Sequence, residues 1–192
     1  GCGRKASQDT QGATLPAPLN NQSAAQQSGN GKVGKNRVLD APATEFHAAI
    51  ASNNTPDQML TAALNAIGGM AAFVKQGDFV VIKPNLAWGR TPEQAANTSP
   101  EMLKAVIEMV QTAGAKEVLV VDHTCDNSQV SFDMSGGKSI CDMAGVRLVS
   151  LDNQGMFRQE NIARGTALKQ EMLSLDILDC DVYINLPCLK HH

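Results

Sequence analysis

Long apolar runs, aromatic side chains and an excess of charge of either sign are all scarce in this chain of 192 residues. Its longest apolar runs are four or five residues, as in Val118-Leu119-Val120-Val121, far short of the roughly 18 that a bilayer-spanning helix needs. A transmembrane helix is therefore excluded. Lys and Arg number 16 against 19 Asp and Glu, a net charge of −3, so no basic field attracts nucleic acid, and no interleaving of aromatic with basic residues appears. Aromatics make up 4%, which leaves Met to fill the gaps of an aromatic-poor core. Catalytic signatures are missing too. Gly136-Gly137-Lys138-Ser139 ends like a phosphate-binding loop, but the motif's first glycine would fall at Phe132, with no strand just before it. No GxGxxG follows the first expected strand, so ATP and NAD are both disfavoured. Neither Ser135 nor Ser139 sits in a GxSxG elbow, and no HxxxH, CxxC or HExxH spacing marks a metal site.

What is present changes character along the chain. Residues 1–37 are dominated by Gln, Asn, Ser, Ala and Gly, too polar to offset the entropy of ordering, and are expected to be a flexible tether. Gly1-Cys2-Gly3 opens without Met. A Cys there, followed by a polar linker, is laid out like a bacterial lipoprotein, with Cys2 as the lipidation site, and an ordinary exposed thiol is the competing reading. The first implies an exported protein, periplasmic or attached to the cell envelope, touching the membrane only through its lipid.

Residues 38–192 alternate helical periodicity with short apolar runs. Leu60, Ala63, Leu64, Ile67, Met70, Ala71 and Val74 line one face of a helix opened by Thr55-Pro56-Asp57, weakened at Gly68-Gly69. Phe79–Ile82 reads as a buried strand, ended by Lys83-Pro84-Asn85. Ser99 is an N-cap, Pro100 a first helical residue, and Leu103, Val106, Ile107 and Val110 form an apolar stripe closed by Gly114. Further strands are expected at Glu117–Val121, Val146–Ser150 and Val182–Leu186, with helices around Ser139–Ala144 and Met172–Leu178. Such alternation predicts a mainly parallel sheet in a three-layer α/β/α, Rossmann-like domain. The chain stops inside a polar cluster, so this domain is expected to be incomplete at its C-terminus.

In an open parallel sheet the carboxyl ends of all strands share one edge, where ligands bind. Here that edge collects Lys83 and Asn85, then Asp122, His123, Thr124 and Cys125, then Asp152, then Asn185, Cys188, Lys190, His191 and His192, with Trp88 and Arg90 on a loop able to fold over it. Lys83, His123 and His191 are the candidate acid/base groups, and Asn85, Arg90, Asp122, Thr124, Asn185 and Lys190 the candidate ligand-binding ones. His123, Cys125, His191 and His192 are the donors a metal would use. Cys141 and Cys180 read as small buried hydrophobes.

Phe79-Val80-Val81-Ile82-Lys83-Pro84-Asn85-Leu86, Arg90-Thr91-Pro92, Ala95-Ala96-Asn97-Thr98, Val121-Asp122-His123-Thr124-Cys125, Ile184-Asn185-Leu186-Pro187 and Lys190-His191-His192 together resemble the bacterial and archaeal family called domain of unknown function 362. The resemblance covers about residues 59–192. It implies a Rossmann-type fold, twin-arginine export in many members and, in some, a linked ferredoxin-like module, hence a redox context in which a metal or iron–sulfur cluster is a possible cofactor. The ferredoxin-type cysteine runs are absent here. The function expected is binding of an anionic small molecule or metal-containing cofactor at the strand ends, with a redox partner protein, and an oxidoreductase association; the alternative is a non-catalytic module that docks a partner with the same edge.

Overall fold

Glycine and proline punctuate the chain much as its sequence suggests. The computed structural model describes residues 48–190, so the tether with Cys2, as well as His191 and His192, lies outside the described residues. Helix α1 (Pro56–Ala66) has Pro56 at its first position. Gly68 and Gly69, both at positive φ, divide the expected long helix, and its remainder is the short α2 (Met70–Phe73). A turn at Gly77 leads into β1 (Phe79–Pro84). Helix α3 (Pro100–Thr112) starts where Ser99 Oγ accepts from the Met102 amide at 3.2 Å, and Gly114, with φ +98°, follows its end. The four stripe residues named above are at most 1% exposed.

After β2 (Glu117–Asp122) come two helices where one was expected: α4 (Ser128–Met134), capped by Asn127 Oδ1 on the Val130 amide, and α5 (Gly137–Ala144). Then follow β3 (Arg147–Ser150), β4 (Phe157–Asn161), β5 (Gln170–Ser174), α6 (Leu175–Asp179) and β6 (Val182–Leu186). The segment read as a helix over Met172–Leu178 is strand as far as Ser174 and helix only from Leu175. Pairing decides it: Met172 and Leu173 face Gln159 and Arg158 across the antiparallel β4–β5 hairpin, and tertiary pairing overrides weak local propensity.

The main sheet has the order β3-β2-β1-β6 and is parallel throughout. On one face Val80, Ile82, Val118, Val120 and Val182 meet α3 and α5; on the other Val81, Leu119 and Val121 meet Ile177 of α6 together with Met156 and Phe157. Each fully buried Val, Leu or Ile contributes about 1.5–3 kcal/mol, so the central strands dominate stability. Helices thus cover both sides, the second more thinly. Chirality accounts for the switch. Right-handed crossovers from β1 to β2 to β3 put their helices on one face, and the return from β3 across to β6 must put α6 on the other. The direction of strand order therefore reverses between β1 and β6, the place where open α/β sheets bind ligands.

Candidate functional site

Lys83 leaves β1 beside Asp122, the last residue of β2. Its Nζ lies 2.5 Å from Asp122 Oδ1 and also donates to the Pro84 carbonyl at 3.0 Å. The second carboxylate oxygen of Asp122 accepts from the buried Leu86 amide at 2.6 Å. The Asp122 side chain is 2% exposed and that of Lys83 34%, so Asp122 is a clamp joining two strand ends rather than an open ligand group. The Lys83 side chain itself stays partly exposed.

The chain after β1 folds back over the edge, held by two buried side chains. Thr98 Oγ1 accepts from the Asn85 amide at 2.9 Å and donates to the Leu186 carbonyl at 2.8 Å, tying the end of β1 to the end of β6. Asn97 Oδ1 accepts from the Trp88 amide at 3.3 Å, and its Nδ2 donates to the carbonyls of Trp88 and Arg90 at 2.9 and 3.2 Å. Opposite, Gly89 donates to Asp126 Oδ2 at 2.9 Å and Cys125 to the Ala87 carbonyl at 2.9 Å. Ala95, at φ +52°, holds a left-handed conformation that costs a residue with a Cβ about 1–2 kcal/mol. Asn97, Thr98 and Asp126 were not singled out as site residues from the sequence. The available signal was Asn and Thr, the side chains that bond most readily to backbone, standing just ahead of a helix cap.

Two cationic side chains follow the ends of β1 and β6. Lys190 Nζ donates to Asn85 Oδ1 at 2.8 Å and lies 6.0 Å from the centre of the Trp88 ring. It has no carboxylate partner among the described residues, and neither has Arg90, whose Nη1 reaches only the Gly89 carbonyl at 2.9 Å. Asn185, exposed on β6, is in register with Lys83. Tyr183, two residues earlier, has its phenol pKa raised by partial burial first and by the Asp122 charge second.

At the β2–β3 side the groups are more dispersed. His123 is largely exposed, its Nδ1 is 2.9 Å from the Leu151 carbonyl, and Asp152 Oδ1 lies 3.9 Å from the same nitrogen. A carbonyl only accepts, so Nδ1 is the donor in this contact. Thr124 Oγ1 donates back to the Asp126 carbonyl at 2.8 Å. Cys125 is exposed and Cys188 half-buried, with Sγ 3.9 Å from the Ala95 carbonyl. Among the described residues no three His, Cys, Asp or Glu side chains gather as a metal site; of the donors expected for one, His191 and His192 lie outside the described residues.

The other two described thiols are buried, as expected, and burial pushes Cys141 up to about 12 and Cys180 to about 11. The thiolate is the nucleophile. At pH 8, alkylation of native protein mapped by peptide mass spectrometry is therefore expected to modify Cys125 and to spare Cys141 and Cys180, which react only after unfolding. Labelling of Cys141 or Cys180 at the Cys125 rate would show that the core opens.

A family model described as domain of unknown function 362 matches residues 80–192, the span that carries the ends of both β1 and β6. A thylakoid-associated protein of Synechocystis sp. is 33% identical over 130 residues, which is 67% of this chain and 39% of that protein. The chain therefore spans about two fifths of the relative's length. No solved structure matches the chain significantly.

Proposed function

This chain belongs to the family called domain of unknown function 362, and from that premise and the geometry of the strand ends we propose that it binds an anionic small molecule in the crevice between β1 and β6. One observation carries the reading: the Lys190 ammonium, fixed by Asn85 at 2.8 Å, stands at the topological switch point without a carboxylate partner among the described residues. Fixing a cation before the ligand arrives spares the entropy of ordering it. Arg90, also without a carboxylate partner among the described residues, adds positive charge on the loop after β1, and Asn85 and Asn185 offer amides for orientation. Association with the thylakoid, which the relative's description states for that protein, is compatible with this role and adds nothing to it.

The test is calorimetric titration of the full chain with inorganic phosphate at low ionic strength. A hydrogen bond to a charged group is worth about 1.5–3 kcal/mol, so Lys190→Ala is expected to weaken binding at least about tenfold. Lys104→Ala, which removes one half of an exposed ion pair on α3, leaves it unchanged. Absence of phosphate binding, or equal loss in both variants, rules the reading out.

A further inference from the structure

Trp88 is the chain's single tryptophan and stands beside that crevice, 38% exposed. An isolated exposed apolar side chain is ordinary. The way this one is held is not. Both backbone polar atoms of Trp88 are taken by Asn97, itself only 9% exposed. The residues on either side are bound as well, the Ala87 carbonyl by the Cys125 amide and the Gly89 amide by Asp126. The backbone that carries a ring left partly unburied is thus held by polar contacts from two other segments of the chain.

The ammonium beside it leaves the ring free. At 6.0 Å from the ring centre, Lys190 Nζ sits at the outer limit of cation–π contact, and among the described residues its one hydrogen bond goes to Asn85. A partly exposed indole on an anchored backbone and a cation without a counter-charge among the described residues therefore stand side by side.

We propose that the ligand of this crevice is a planar aromatic or heteroaromatic ring bearing one phosphate or carboxylate group, the ring stacking on Trp88 while the anionic group takes Lys190. This rests on the anion-site reading above and narrows it to a substrate class. A single anionic group requires neither of the glycine-rich phosphate loops that the sequence lacks. Indole accepts any π face, so the stack supplies affinity and the surrounding amides supply selection.

Adenosine monophosphate and flavin mononucleotide are the ring-bearing probes, and ribose 5-phosphate is the same anion without a ring. Calorimetry on the full chain is expected to give at least one ring-bearing probe an affinity about tenfold or more above that of ribose 5-phosphate, the size of one base stack. Adenosine monophosphate, where it is the probe that binds, also quenches the fluorescence of Trp88. Trp88→Ala is expected to bring the ratio of ring-bearing to ringless affinity down to about one, and Trp88→Phe to keep part of it. Equal affinity for all three probes in the parent protein, or a ratio that Trp88→Ala leaves intact, overturns the stacking proposal and leaves the anion site standing. Failure of all three to bind overturns both.

Discussion

Asp122→Ala is expected to lower the free energy of unfolding by about 3 kcal/mol, and the melting temperature by roughly 10 °C for a chain of this size. The carboxylate serves two strand ends at once. Its removal leaves the Leu86 amide, in a residue 1% exposed, without an acceptor, and leaves Lys83 without its counter-charge. Breaking a fully buried pair typically costs about 3–5 kcal/mol; the lower end applies because the Lys83 side chain is 34% exposed and can rehydrate. Asp122→Asn keeps an oxygen for Leu86 and is expected to lose about half as much. Urea unfolding distinguishes the two variants, and a loss under about 1 kcal/mol in Asp122→Ala, within the range of an ordinary surface pair, would show that the clamp is dispensable.

Thr98→Val is expected to cost about 2 kcal/mol, close to the shape of the parent residue but without its hydroxyl. That hydroxyl satisfies the Asn85 amide and the Leu186 carbonyl together, and each such group left unpaired costs about 1–3 kcal/mol when buried. Thr98→Ser preserves both bonds and should stay within about 1 kcal/mol of the parent, because only a methyl group is removed. Binding should respond as well. Lys190 follows the end of β6, so a loosened seam displaces the cation, and phosphate affinity in Thr98→Val is expected to fall while in Thr98→Ser it holds. Unchanged affinity in Thr98→Val would mean that Lys190 is positioned by Asn85 alone.

The central strands of the main sheet were legible in the sequence because they are buried on both faces and read as apolar runs: Phe79–Ile82 and Glu117–Val121 lie where expected, and so does the half-exposed edge strand Val182–Leu186. The capped α3 was legible for the same local reason. The β4–β5 hairpin was not, since Phe157–Asn161 and Gln170–Ser174 are largely exposed and polar, and a strand that buries little carries little pattern. The strand ends announced most of the site's residue types, but not their pairing. Nothing local to Lys83 or Asp122 indicates that they meet, and the adjacency of Asn85 to Lys190 depends on β6 lying beside β1, which strand spacing alone does not fix. Asn97 and Thr98 acquire their role only once the loop has folded back.

The strand order also sets the sequence in which the sheet can close. Val80 finds Val118 about forty residues along the chain, but Val182 only after about a hundred. Closing the longer loop costs about 1 kcal/mol more in chain entropy, and contacts of long sequence separation slow folding. The crevice lies on that late seam. On the proposed reading, the site would be complete only when the most distant pairing is made, and an anion held there would bridge the last two strand ends to meet and act as a latch on that late step.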